Sequence, residues 1–298
     1  MSLIATRTCA ISALSCNALS KSRRQSFTAT PLSAAVGAEI TGLNLSDTLN
    51  TETVAALRAI WLDKGVLLFR NNDLSVEDQI RFAGNFGTPS KTNNRTDPNR
   101  DPRLMLISNI RENGNPIGSL PDGELQFHSD SAFHEEPLMA TLLYSVEVPS
   151  AGGDTLFANA NIAYEKLPAD LKSQLAGLTA INGYDYSTQV KQTNYDRSTG
   201  PHATHPVVRT HPETSLKAIY VNQLMTEEVL GLSQSDSDAL LADLFDRIED
   251  PDIRYTHVWR TGDLLIWDNR FIQHARTDFP STERRMLRRV GLIGDKPF

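Results

Sequence analysis

Gln126-Phe127-His128-Ser129-Asp130-Ser131-Ala132-Phe133 is the stretch on which the reading of this chain turns. Side chains on a strand alternate between faces with period two, so on an extended stretch His128 and Asp130 point the same way. Far downstream, Gln273-His274 follows the apolar run Leu264-Leu265-Ile266-Trp267. A fold that brings His274 beside the pair sets two imidazoles and one carboxylate on one side of a metal ion. Such a facial set leaves the other coordination positions open, as in non-haem Fe(II) oxygenases. Alone, each residue reads as well as a hydrogen-bonded strand or core side chain, and His-x-Asp is a common triplet.

The surroundings add information. Gly152-Gly153-Asp154-Thr155 follows the first motif, and Gly262-Asp263-Leu264-Leu265-Ile266-Trp267-Asp268-Asn269-Arg270 precedes His274. Then comes Glu283-Arg284-Arg285-Met286-Leu287-Arg288-Arg289. On a strand, Arg285 and Arg289 share one face, while Arg284 and Arg288 share the other and can meet solvent. An inward arginine is costly unless an anion pairs with it. Its planar fork suits a carboxylate bound through two parallel hydrogen bonds.

In this order, and closing on Gly294-Asp295-Lys296-Pro297-Phe298, the motifs resemble the taurine dioxygenase/2,4-D dioxygenase (TauD/TfdA) family of Fe(II)- and 2-oxoglutarate-dependent oxygenases. The resemblance spans about residues 27–298. It implies a double-stranded β-helix, or jelly-roll, with iron held at one open end by His128, Asp130 and His274. It implies that Arg285 binds the distal carboxylate of 2-oxoglutarate and that Thr155 donates a hydroxyl to it. It places Arg289 at the position that holds the anionic group of the primary substrate. The implied reaction consumes O2 and 2-oxoglutarate, releases succinate and CO2, and hydroxylates a C–H bond of a small organic acid. Where the hydroxylated carbon bears a heteroatom, that bond then breaks. Asp130 argues against halogenation, which needs a small residue in place of the carboxylate.

Two departures argue against taurine as the substrate. Taurine-specific members carry a histidine in the loop after Phe86-Gly87, where this chain reads Thr88-Pro89-Ser90-Lys91-Thr92-Asn93-Asn94. Four residues before the first histidine ligand they have an amide, where Glu124 stands here. An aryloxyalkanoate, a sulfonate, an alkyl sulfate or an N-bearing acid each suits the remaining pattern. The rival readings are a zinc hydrolase and a non-catalytic jelly-roll metal-binding or sensor protein. Neither explains Thr155 and Arg285 together.

Composition bounds the problem. With 298 residues, 40% of them hydrophobic, the chain can bury a sizeable core. Metal ligands from both halves favour one catalytic domain over residues 27–298. A net charge of −7 gives no support for nucleic-acid binding, and no apolar run approaches a membrane span. The partner expected is a small anionic molecule, and a homo-oligomer is left open. Both cysteines, Cys9 and Cys16, lie in the first 26 residues, so the rest has no disulfide or thiolate metal site. That segment carries Arg7, Lys21, Arg23 and Arg24, with no acid before Glu39. It reads as a flexible extension of a cytoplasmic protein or as a mitochondrial or other organellar transit peptide.

The coarse pattern is α+β and mainly β, a jelly-roll core with flanking helices. Thr51 to Asp63 and Ser75 to Asn85 have helical periods, the second with a Ser75/Asp78 capping box. Ser235 to Ile248 is a further helix, and Ile162 to Leu178 a helix broken at Pro168. Strands are expected within Phe27 to Leu45, then at Val66 to Phe69, Leu104 to Ser108, Leu138 to Val148, Thr155 to Ala158, Tyr255 to Trp259, Asp263 to Trp267 and Arg288 to Ile293. Pro206 to Arg209 and Ala218 to Val221 form a hairpin. Residues 88–103 and 110–125 read as loops, and Thr179 to Thr204 as a long active-site lid. His134, His202, His205, His211 and His257 read as structural or lid residues.

Overall fold

A computed structural model describes residues 25–92, 97, 99–120, 123–184 and 195–298. Residues 1–24 of the possible targeting segment 1–26 lie outside them, as do positions 185–194 of the expected lid.

Eight strands carry the architecture: β1 (Met105–Ser108), β2 (Leu125–His128), β3 (Ala140–Glu147), β4 (Thr155–Asn159), β5 (Arg254–His257), β6 (Leu264–Asp268), β7 (Ile272–Arg276) and β8 (Met286–Leu292). A seven-stranded sheet runs in the order Thr28–Pro31, Ala38–Thr41, Val66–Phe69, β6, β3, β8, β1. A four-stranded sheet runs β5-β4-β7-β2. The chain therefore crosses repeatedly between the two sheets, and sequence neighbours such as β6 and β7 fall in different ones.

The sequence pattern explains why the strand Val66–Phe69 of the large sheet is buried on both faces. Val66-Leu67-Leu68-Phe69 is apolar at every position and buried at every position. Val66 and Leu68 join the cluster holding Phe127, Phe157 and Ile272 of the small sheet. Leu67 and Phe69 face the opposite way, into a second cluster with Leu57, Trp61, Ile80 and Phe82. Those last four come from α1 (Thr51–Lys64) and α2 (Val76–Ala83), which cover the outer side. A strand sandwiched between a sheet and helices has no polar face to keep, so its alternation disappears. Both helices start as the sequence indicates. The Asn50 side chain accepts from Thr53 N, and the Ser75/Asp78 capping box is complete. Gly65, at φ 74, ends α1 in the left-handed conformation that glycine adopts without a Cβ penalty.

Residues 160–175 form two helices, α3 (Ala160–Glu165) and α4 (Ala169–Leu175), on either side of Pro168, and α5 spans Gln234–Ile248. The Val208–Thr210/Lys217–Ile219 hairpin forms as expected.

Four expectations need correction. The Thr179 to Thr204 segment is not one long loop. Thr179–Gly183 is a strand between His202–Pro206 and Thr226–Val229, because Ala180 and Ile181 carry enough apolar surface to be buried there. Residues 110–125 include a two-residue hairpin, Arg111–Glu112 against Asn115–Pro116. The His-x-Asp pair does not lie on one strand: β2 ends at His128 and Asp130 sits in the following turn. Arg288 does not point to open solvent. Its guanidinium lies 4.4 Å from the Tyr144 ring centroid and donates to Leu74 O, because α2 packs over that face of β8. Arg284 is exposed and pairs with Glu147, as the alternation requires.

Candidate active site

The site begins as a cross-strand pair. β7 lies antiparallel to β2 with His274 directly opposite His128. The two imidazoles stand 4.1 Å apart between centroids. After His128 the chain turns, with Ser131 at φ 63. The turn carries Asp130 back toward the large sheet, where the Thr141 hydroxyl donates to its Oδ2 at 2.5 Å. Thr141 accepts in turn from Asn269 Nδ2, and Asn269 Oδ1 accepts from Trp267 Nε1. A fixed polar chain from the Trp267-Asp268-Asn269-Arg270 motif thus orients the carboxylate.

His128, Asp130 and His274 each present one donor atom, and the three atoms lie within 4.8 Å of one another. His128 Nδ1 faces Gln126 O at 2.8 Å, which leaves Nε2 as the lone-pair nitrogen. Burial holds the His128 imidazole below its ordinary pKa. Burial brings His274 down to about 3. Both rings are therefore neutral, the form that binds a metal. Burial pushes the Asp130 carboxyl up, but the Arg289 guanidinium, with the Thr141 hydroxyl donating to it, outweighs burial and holds the group ionised. Two neutral nitrogens and one anionic oxygen, closely grouped, fit Fe(II).

Arg289 is not free for a substrate alone. Its Nη2 lies 3.0 Å from Asp130 Oδ1. Arg285 is different. It is 2% exposed, its Nη2 donates to Gly153 O, and its Nε and Nη1 have no partner among the described residues. Burial, then the charge of Arg276, pull its pKa down to about 9, with Asp154 acting the other way. It stays cationic at neutral pH with half its fork unused. Thr155 begins β4, two residues after Gly153, and faces Arg276 across the sheet. Phe157 faces His274 in the same register, so Thr155 lies one step of two residues from His274 along the sheet. That step is about 6–7 Å.

A cleft of about 470 Å³ opens onto this cluster. His128, Asp130 and Arg289 line it, with an apolar wall that includes Met105, Leu120, Leu125, Phe133, Tyr184, Leu224 and Met225. Ser90, Lys91 and Thr92 of the loop after Phe86-Gly87 also line it. His274, Thr155 and Arg285 are buried rather than on this lining. Glu124 is exposed and is not on it either, so its difference from taurine-specific members does not act on the cleft wall.

The whole arrangement has known counterparts. Residues 28–290 match the model of the taurine catabolism dioxygenase TauD, TfdA family. The chain belongs to that family. Its members are Fe(II)- and 2-oxoglutarate-dependent dioxygenases that use O2, and the chain is an enzyme of this kind. It is 34% identical to pentalenolactone F synthase of Streptomyces avermitilis, over 93% of this chain and 96% of that protein. It is 31% identical to the alpha-ketoglutarate-dependent 2,4-dichlorophenoxyacetate dioxygenase of Cupriavidus pinatubonensis, over 91% and 99%. A crystal structure described as a taurine dioxygenase from Burkholderia xenovorans superposes with TM-score 0.78 at 30% identity, covering 91% of this chain and 92% of that one.

Among the TauD/TfdA-type motifs, the structure brings His128, Asp130, His274 and Arg289 into one cluster, with Thr155 one strand step from His274 and Arg285 bound to Gly153 O two residues before Thr155. Sequence reasoning missed Thr141 and Asn269 as partners of Asp130, although Asn269 lies inside a quoted motif. It noted Lys91 only as part of a loop lacking histidine. The other histidines are mostly structural: His211 pairs with Asp268, His257 with Asp263, and His205 Nε2 meets His134 O. His134 does line the cleft. No described helix is long and apolar enough to cross a membrane.

Proposed function

We propose that this chain hydroxylates a C–H bond of a small organic acid with a substantial apolar part, such as an aryloxyalkanoate or an alkyl sulfate. His128, Asp130 and His274 hold Fe(II). Arg285 and Thr155 hold the distal carboxylate of 2-oxoglutarate. Arg289, with Lys91 at the outer wall, attracts the substrate anion. When bound, the iron supplies O2 activation coupled to decarboxylation of 2-oxoglutarate. The protein orients the carboxylate ligand through Thr141, presents an anion site one strand step from His274, and encloses the substrate's apolar part away from water. One domain over residues 27–298 does this, and its two sheets are the halves of a double-stranded β-helix. The repeated crossing of the chain between them supports that reading.

The observation that carries the proposal is Arg285. A buried guanidinium with two nitrogens unpaired among the described residues, tethered to Gly153 O two residues before Thr155, asks for an anionic ligand. The distal carboxylate of 2-oxoglutarate would supply that anion. Neither a zinc hydrolase nor a metal-binding sensor has a use for it. The 2,4-dichlorophenoxyacetate enzyme among the relatives supports an aryloxyalkanoate class, and the apolar cleft wall suits one.

The test is succinate release with Fe(II), ascorbate and 2-oxoglutarate across a panel of aryloxyalkanoates, alkyl sulfates, sulfonates and N-bearing acids. Substrate-dependent succinate with a hydroxylated or cleaved product is expected for at least one apolar acid. Efficient turnover of taurine and of no apolar acid would overturn the substrate class.

A further inference from the structure

Trp259 offers its indole Nε1–H to Thr155 Oγ1 at 3.0 Å, and both side chains are buried. An indole only donates, whereas a threonine hydroxyl donates once and accepts through two lone pairs. The indole therefore consumes a lone pair of Thr155 and leaves the hydroxyl's own hydrogen to find another acceptor. Among the described residues none takes it. The ring that does this is itself fixed: Trp259 meets His257 edge-on at 4.6 Å and 89°. His257 pairs with Asp263 at 3.1 Å, and Asp263 with Arg70 at 2.7 Å. The rail runs from the strand end at Arg70 to the first residue of β4.

We infer that Trp259 is a positioning residue for 2-oxoglutarate. It aims the Thr155 hydroxyl hydrogen at the co-substrate's distal carboxylate and so acts on co-substrate affinity through Thr155. The inference rests on the reading that Thr155 meets that carboxylate. A donor fixed before binding loses less rotational freedom when the ligand arrives.

The experiment measures KM for 2-oxoglutarate and for the primary substrate in Trp259→Phe, Thr155→Val, Thr155→Ser and the double variant Trp259→Phe/Thr155→Val. Trp259→Phe keeps an aromatic body and removes the donor. It is expected to raise KM for 2-oxoglutarate about three- to tenfold, the range for losing one hydrogen bond, with KM for the primary substrate unchanged. In the Thr155→Val background the same change should have no further effect, and Thr155→Ser, which keeps the hydroxyl, should lose less 2-oxoglutarate affinity than Thr155→Val. Additive effects in the double variant, or equal changes in both KM values, overturn the inference. If Thr155→Val leaves 2-oxoglutarate affinity intact, the reading of Thr155 itself fails, which is a separate result. Should Trp259→Phe fold poorly, benzothienylalanine at position 259 removes the N–H with the bicyclic shape retained, and the same comparison applies.

Discussion

Arg289 Nη2 lies 3.0 Å from Asp130 Oδ1, so the guanidinium that the sequence assigns to a substrate anion is also the partner of a candidate metal ligand. Both side chains are largely withdrawn from solvent. The pair helps to hold Asp130 ionised, and the same arginine lines the cleft. Removing it should then affect more than anion recognition.

Arg289→Ala is expected to lower kcat/KM for acids and for their neutral amides alike, by roughly 30-fold, since breaking a buried charge pair costs about 2 kcal/mol or more. Matched acid/amide pairs assayed in wild type and variant check this. A loss confined to acids would mean that Arg289 serves the substrate only.

Lys91 is the place to look for anion selectivity without damage to the metal centre. Lys91→Met should raise KM for acids by up to about fivefold, as expected for a rim charge worth about 1 kcal/mol or less, and the effect should shrink in high salt. Succinate release in the absence of substrate should not change. Equal effects on acids and amides would remove Lys91 from substrate recognition.

His128→Ala, Asp130→Ala and His274→Ala should each abolish Fe(II)-dependent succinate formation while circular dichroism stays native. If one variant keeps near wild-type turnover with its iron quantified, that residue is not a ligand.

Arg285→Lys keeps the charge and loses the fork, so 2-oxoglutarate affinity should fall in part and primary-substrate affinity hardly at all. Arg285→Ala should cost about 2–5 kcal/mol in 2-oxoglutarate binding. Isothermal titration with 2-oxoglutarate measures both, and unchanged affinity in the Ala variant would sink the assignment.

Asp268 is buried and receives the Arg270 side chain through two hydrogen bonds, its backbone N–H through a third, and His211 through one. Burial raises its carboxyl, but Arg270 and His211 outweigh burial and bring it down to about 2, from an ordinary 3.8. A carboxylate depressed in the folded state stabilises above its unfolded pKa and loses that stabilisation as pH falls through the folded one. Stability from this group should therefore be lost between pH about 4 and about 2. Asp268→Asn should destabilise at neutral pH by roughly 3–5 kcal/mol, because Arg270 loses its main buried partner, and should flatten the acid limb of a melting-temperature profile. An unchanged acid limb would mean that another carboxylate controls it.

The sequence by itself determined the elements whose residues have local reasons to form: the capped helices at Thr51 and Ser75, the break at Pro168 and the unbroken apolar strand at Val66. It also determined the chemistry of the site, because imidazoles, a carboxylate and clustered arginines in a fixed order already narrow what they can bind. Only the tertiary structure decided how those groups meet. Periodicity put His128 and Asp130 on one strand, but a turn at Ser131 ends it and delivers Asp130 to Thr141 and Arg289. Alternation sent Arg288 to solvent, but α2 covers that face and makes it a partner of Tyr144. The polarity of Thr179 to Thr204 suggested a lid, but Ala180 and Ile181 found neighbours only after folding. Local pattern records which face of a segment is apolar. What that face packs against, and which charge ends beside which, depends on contacts between residues more than a hundred positions apart, as His128 and His274 are.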